Sequence, residues 1–175
     1  MTGKLELVKA HVRAIPDFPK PGILFRDITP LLGHPEAFRA GIELLSAAVR
    51  DLRVECLVAI ESRGFLFGAP LALALGASLV PVRKPGKLPH RKRRVEYALE
   101  YGTDALEMHE DAIEPGARVL IVDDVIATGG TALAAAELVK QAGGEPVGFG
   151  FFIELAFLEG RRRLAPLPIR TVVTY

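Results

Sequence analysis

A single α/β domain, with a parallel twisted sheet flanked by helices, is predicted by three features of the chain. Short branched apolar runs such as Cys56–Ile60 and Val119–Val122 carry no polar residue on either face, as central parallel strands covered on both sides do. Segments with helical spacing alternate with those runs. At 175 residues the chain is long enough for one domain with a substantial core and short for two. The span 1–175 is therefore expected to fold as one domain.

The elements follow in order. A short helix is expected over about Leu5 to Arg13, then a proline-rich irregular stretch from Pro16 to Pro30 with Gly22 inside it. From Pro35, Phe38, Ile42, Leu45, Val49 and Leu52 recur at spacings of four and three, which predicts a helix with one apolar face. Strands are expected at Cys56–Ile60, Ser78–Val82, Val119–Asp123, Val147–Ile153 and Thr171–Thr174. Helices are expected between them at Gly68–Leu75, Thr131–Ala142 and Leu158–Leu164, with Gly143-Gly144 stopping the second. Between Lys84 and Glu114 the alternation breaks. The insertion 84–110 holds the basic run Arg91-Lys-Arg-Arg94 and two short alternating segments about Tyr101-Gly102, and reads as a mobile ribbon or lid rather than core.

Composition narrows the function classes. Half the residues are hydrophobic and a quarter charged, with a formal net charge of +1, so no whole-protein field favours DNA or an acidic membrane. The Arg91–Arg94 run is short and has no interleaved aromatic ring before Tyr97, so it reads as solvated rather than as a nucleic-acid contact. The single cysteine, Cys56, lies in a strand-like run and is expected to be an inert core thiol. No apolar run approaches a membrane span and the N-terminus lacks a signal-peptide core, so a cytoplasmic protein is expected. His11, His34, His90 and His109 have no metal-ligand spacing.

The chemistry is concentrated in Val119-Leu-Ile-Val-Asp123-Asp124-Val-Ile-Ala127-Thr128-Gly129-Gly130-Thr131. A buried strand runs into two carboxylates, a small-residue loop and an Ala-rich helix. Gly129 and Gly130 let the backbone turn and approach a ligand, and the first helical turn offers free N–H groups to a phosphate, with Thr128 and Thr131 adding hydroxyls. Asp123 and Asp124 beside such donors suit a sugar phosphate, with acceptors for ribose hydroxyls and donors for the phosphate. On spacing alone a metal–phosphate site fits equally well. Neither Gly-x-x-x-x-Gly-Lys-Ser/Thr nor Gly-x-Gly-x-x-Gly occurs, which removes a P-loop and a dinucleotide fold. Ser62-Arg63-Gly64 after the first strand, and Arg83, Lys84 and Lys87 after the second, add anion donors at the same sheet edge. Phe25, among Pro19, Pro21 and Gly22, is suited to stacking on a planar base.

Hydrophobic run, Asp-Asp, two apolar residues and Ala-Thr-Gly-Gly-Thr resemble the phosphoribosyl-pyrophosphate motif of the type I phosphoribosyltransferases. Asp17-Phe-Pro-Lys-Pro-Gly-Ile-Leu-Phe-Arg-Asp-Ile-Thr-Pro30, Glu61-Ser-Arg-Gly-Phe-Leu-Phe-Gly68, Arg83-Lys-Pro-Gly-Lys-Leu-Pro89 and Leu99-Glu-Tyr-Gly-Thr103 are similar to the adenine phosphoribosyltransferase family in particular. The blocks stand in family order over nearly the whole chain, although Arg91–Arg94 is more basic than the family pattern.

The resemblance implies the type I phosphoribosyltransferase fold, with residues 1–33 as an N-terminal helix and base-binding hood and a flexible lid. It implies the reaction of adenine with 5-phosphoribosyl 1-pyrophosphate to give AMP and pyrophosphate, in a homodimer, with Mg²⁺ carried by the pyrophosphate and no protein metal site. Asp123, Asp124, Ala127, Thr128, Gly129, Gly130 and Thr131 would then hold the ribose phosphate. Ser62, Arg63, Arg83, Lys84 and Lys87 would hold pyrophosphate, Arg83 reaching into the neighbouring subunit's site. Leu24 and Arg26 would lend backbone groups to adenine while Phe25 packs on its face, and Glu100, followed by Tyr101 on the lid, takes the position of the catalytic glutamate. From the residues alone Glu96, Glu100 and Glu107 are equivalent exposed carboxylates. Two other readings stay open: transfer to hypoxanthine, guanine, xanthine or orotate, and a regulator that senses the donor and acts on nucleic acid. A regulator would need a further domain or a broad basic face, for which 175 residues at net charge +1 leave little room.

Overall fold

Apolar side chains alternate between the two faces of a five-stranded parallel sheet, and each face is covered, as the branched runs predict. The computed structural model describes residues 2–98 and 102–175. These form two compact units, Met1–Leu44 and Leu45–Tyr175.

In the first unit, helix α1 spans Thr2–Ala10 and is followed by two strands, β1 (Arg13–Pro16) and β2 (Leu24–Asp27), paired antiparallel. Most of the stretch expected to be irregular is therefore a hairpin. Its connection is closed by local bonds: Asp17, at φ 56°, accepts from the Gly22 amide at 2.7 Å, and Phe18 N–H donates to Ile23 O. Arg13 and Asp27 pair across the ends of the strands at 2.5 Å, and Asp27 also accepts from the Thr29 amide at 2.9 Å. Helix α2 (Thr29–Leu32) follows, then α3 (Pro35–Val49) on the expected register.

The second unit holds the sheet, in the order β4-β3-β7-β8-β9: β3 (Cys56–Ile60), β4 (Ser78–Val82), β7 (Arg118–Ile126), β8 (Glu145–Glu154) and β9 (Ile169–Thr174). All five expected strands are present. The helices between them are α4 (Gly64–Leu75), α5 (Gly130–Gln141) and the short α6 (Gly160–Leu164). One sheet face presents Cys56, Val58, Ile60, Val119, Ile121, Phe149 and Phe151 to a core completed by Ala135, Leu138 and Val139 of α5. Phe67 and Leu71 of α4 are fully buried, and Phe67 stacks on Phe152 of β8 with ring centroids 4.5 Å apart. The chain steps from β3 outward to β4 and then returns to place β7 on the other side of β3, so strand order reverses between β3 and β7. Open parallel sheets bind ligands at the carboxyl ends of strands at such a switch point.

The insertion is a ribbon, as expected, but it is not detached from the core. Strands β5 (Lys92–Ala98) and β6 (Thr103–His109) pair antiparallel over seven residues each. Leu106 and Met108 are fully buried in the α5-side cluster, with Val95 and Tyr97 packed against it. The basic run is not a solvated loop either: Lys92, Arg93 and Arg94 are strand residues, and Lys92 pairs with the buried Glu107 at 3.1 Å. Among the described residues no helix is long and apolar enough to cross a membrane.

Candidate active site

Two loops leave the sheet side by side at the switch point. After β3 come Glu61, Ser62 and Arg63; after the pairing of β7 with β3 ends come Asp123 and Asp124, and then the loop to α5. Gly64, the first residue of α4, has no space for a side chain. A Cβ there would lie 2.9 Å from Val122 O and 3.0 Å from the Asp123 carboxylate. That absence brings the first turn of α4 against the acidic end of β7. The loops enclose a pocket of about 380 Å³ lined by Ser62, Arg63, Lys84, Asp123, Asp124, Ala127, Thr128, Gly129, Gly130 and Thr131, ten of the residues that the sequence nominates. Glu61, Val125, Ile126, Ala132 and Phe151 complete the wall.

The two aspartates are electrostatically unequal. Asp124 is buried, and its carboxylate accepts from Arg63 Nε at 2.5 Å. Asp123 accepts from the Asp124 amide at 2.8 Å, while burial, and then the neighbouring charge of Asp124, push its own carboxyl well above the usual carboxylate range. The pair therefore offers one compensated carboxylate and one group biased toward holding its proton, a combination able to accept from and donate to sugar hydroxyls. Beyond it, Gly129 turns the chain at φ 81° and its carbonyl accepts the first helical bond of α5, from Leu133 at 3.0 Å. The first-turn amides of α5 lack partners within the helix and, with the positive end of its dipole, favour a phosphate.

Cations at and beside the pocket are held by acids to which the sequence assigns no role. Arg83 donates to Glu61 at 2.9 Å and lies over the Phe65 ring, 5.7 Å from its centroid. It does not line the pocket. Glu61 also accepts from the Lys84 amide at 2.8 Å, and Arg83 holds its carboxyl below the ordinary value. Lys84 does line the pocket, and its Nζ is engaged by Asp104 and by the Tyr97 hydroxyl, the latter at 3.0 Å. Lys87 is exposed and outside the lining, though its charge helps to lower the Glu61 pKa. The signal for Glu61 was an acid directly before the Ser-Arg-Gly loop; Asp104 had none, because its partner is 20 residues away.

Glu107 corrects the expectation of three equivalent exposed glutamates. It is 3 % exposed and accepts from the Gly86 amide at 3.0 Å as well as from Lys92. Glu96 is exposed and pairs with Arg94. Glu100 and Tyr101 lie outside the described residues. In the first unit, Leu24, Phe25 and Arg26 are consecutive in β2, so the backbone groups of Leu24 and Arg26 face one strand edge and those of Phe25 the other. The Phe25 ring meets Phe18 edge-on at 5.1 Å.

Residues 27–166 match the family model of the phosphoribosyl transferase domain. The chain is 60 % identical over 161 residues to the adenine phosphoribosyltransferase of Sorangium cellulosum, covering 92 % of this chain and 80 % of that protein. Among solved structures it is similar to adenine phosphoribosyltransferase from Rhodothermus marinus, with a TM-score of 0.93, 56 % identity and 100 % of each chain covered. It is also similar to the Saccharomyces cerevisiae enzyme complexed with an imino-altritol bisphosphate and adenine, with a TM-score of 0.91 and 42 % identity over 98 % of this chain and 99 % of that one.

Proposed function

The chain belongs to the phosphoribosyltransferase family, in its adenine phosphoribosyltransferase branch, and on that premise we propose that it serves purine salvage by joining adenine to the ribose of 5-phosphoribosyl 1-pyrophosphate. The C1′–O bond to pyrophosphate breaks, the N9–C1′ bond forms, and the proton on the adenine ring is released, giving AMP and pyrophosphate. The observation that carries this reading is the single pocket in which the paired aspartates, the Ala127–Thr131 loop and the Ser62-Arg63 loop converge.

Each part has a task set by its chemistry. The α5 N-terminus and the hydroxyls of Thr128 and Thr131 bind the 5′-phosphate, and Asp123 and Asp124 bind the ribose hydroxyls. Ser62, Arg63 and Lys84 receive pyrophosphate, with Arg83 and Lys87 behind them adding positive potential. The donor enters as its magnesium complex, the cation belonging to the substrate. Phe25 stacks on adenine, while backbone groups of Leu24 and Arg26 distinguish a 6-amino from a 6-oxo purine, whose donor and acceptor positions are reversed. Glu100 hydrogen-bonds the ring as charge develops on the sugar. The reading includes a cytoplasmic homodimer: Leu66 and Leu73 of α4 and Leu79 of β4 are exposed, Leu73 by 86 %, and a second copy would cover them.

Pyrophosphate release that requires adenine, measured against hypoxanthine, guanine, xanthine and orotate, tests the assignment. Release with another base in preference to adenine would transfer it to that base. The double substitution Asp123→Asn, Asp124→Asn is expected to weaken AMP binding by about 10²-fold or more with the circular dichroism spectrum retained, since two charge-assisted hydrogen-bonding groups are lost. Calorimetric titration with AMP checks it, and unchanged affinity would show that these carboxylates do not meet the ribose.

A further inference from the structure

Glu154 is a buried acid, 5 % exposed, at the end of β8 and outside the pocket lining, so the proposed chemistry gives it no task. Its carboxylate is fully engaged. Arg161 reaches it through Nε and through Nη2, the latter at 2.7 Å, and the hydroxyls of Thr171 and Thr174 donate to it at 3.2 and 3.4 Å. Arg161 also donates to Ile169 O at 3.1 Å, which ties the start of α6 to β9. A buried carboxylate is tolerated only with such a complete set of partners.

The residue before Arg161 lies under the phosphate loop. A Cβ on Gly160 would fall on the Ala127 carbonyl oxygen and stand 2.9 Å from the Ile126 side chain, and one on Gly129 would stand 2.9 Å from Gly160 O. Loop and turn are thus in contact backbone to backbone, with Leu164, 2 % exposed, filling the space beneath Gly129. The approach is fixed at its near end by the Leu155 amide, which donates to Ile126 O at 3.0 Å, and at its far end by Arg161 on Glu154.

We propose that the Glu154–Arg161 pair and Gly160 position the Ala127–Thr131 loop for the 5′-phosphate, acting from beneath and touching no substrate. The inference rests on the donor-binding role proposed above. A loop whose ligands are backbone amides cannot correct its own placement by changing rotamer, and a misplacement of about 1 Å costs on the order of 10²-fold in rate. Glu154 and Arg161 therefore matter to the donor half of the site and not to the base half.

Three variants test it: Gly160→Ala, Arg161→Met and Arg161→Lys. The readouts are the KM for the donor, the KM for adenine, the calorimetric Kd for 5-phosphoribosyl pyrophosphate without adenine, and the melting temperature. Gly160→Ala and Arg161→Met are expected to raise the donor KM and Kd roughly tenfold and to leave the adenine KM within about twofold, with Arg161→Lys recovering part of the loss. A lower melting temperature with unchanged donor KM and Kd would reduce the pair to a structural support and overturn the proposal. So would equal rises in both KM values. Should Arg161→Met fail to fold, Gly160→Ala and Arg161→Lys decide by the same criteria. If the unaltered protein binds donor but releases no pyrophosphate with adenine, the assignment of the acceptor base fails, while the donor Kd values still decide the positioning role.

Discussion

Two antiparallel ribbons interrupt this chain, and they are held by opposite means. The β1–β2 ribbon pairs four residues with four, and of its eight side chains only Asp27 is buried. Its fixity comes from polar contacts: Arg13 with Asp27, Asp27 with the Thr29 amide, and Asp17 with the Gly22 amide. The β5–β6 ribbon pairs seven with seven and buries Ala105, Leu106, Glu107 and Met108 in succession. A ribbon with little buried apolar surface has low local stability and can adapt to a ligand, whereas one that contributes core residues moves only when the core opens. The first is held by polar contacts alone. The second is held by its own buried interior.

The comparison is tested most severely by Glu100, which follows β5. Glu100→Ala should lower kcat and kcat/KM together by about 10²–10⁴-fold, with AMP affinity little changed, if its contact is made as the transition state forms. Exposed Glu96 is the control, and a loss of equal size in Glu96→Ala would remove the special status of Glu100. Glu107 serves a different purpose. Glu107→Ala removes the partner of Lys92 and of the Gly86 amide from a buried position, with an expected loss of about 1–3 kcal/mol in chemical unfolding and a smaller effect on rate. Unchanged stability would mean that the second ribbon is not fixed by its interior.

On the first ribbon the expected effects are smaller. Phe25→Ala should raise the KM for adenine roughly tenfold, the loss of one stacked ring, and leave the donor KM in place. A change confined to the donor KM would show that the ring closes the hairpin and does not meet the base. The smallest effect concerns Asp27. The hydroxyl and amide of Thr29, with the Arg13 guanidinium, lower its pKa from 3.8 to about 2, so the carboxylate form is favoured by folding. That contribution is complete above the unfolded value and disappears as pH falls through the folded one. Asp27→Asn should therefore cost about 1 kcal/mol at pH 7, and the difference from the unaltered protein should shrink as pH falls from about 4 to about 2 and close below that. A difference as large at pH 2 as at pH 7 would assign the cost to packing.

Legibility in the sequence followed how local each determinant is. Val119–Val122, Asp123, Asp124 and the Ala-Thr-Gly-Gly-Thr loop are contiguous, and strand, turn and helix start were all readable there because periodicity and turn chemistry act over a few residues. The five parallel strands were readable for the same reason. The hairpin was not, since four-residue strands among Pro16, Pro19 and Pro21 show almost no alternation. In the second ribbon the visible charge of Arg91–Arg94 points to solvent, while the burial is carried by Leu106 and Met108 on the partner strand. Asp104 and Glu154 give no sign of their importance, because an ion pair formed across 7 or 20 residues has no pattern to read, and Glu61 is marked only by its place before the Ser-Arg-Gly loop.

The close approach at Gly64 has a consequence for variation. Gly64 and Gly68 are one helical turn apart on α4, and a methyl group on either would strike the sheet: 2.9 Å from Val122 O in the first case, 2.6 Å from the Ala59 side chain in the second. Gly3, by contrast, stands in open space without an unusual φ. In a library of single substitutions selected for adenine-dependent growth, Gly3 should tolerate most side chains, and Gly64 and Gly68 almost none, although both belong to a helix that would otherwise gain from alanine. The survivors would trace the line along which helix and sheet touch without side chains between them.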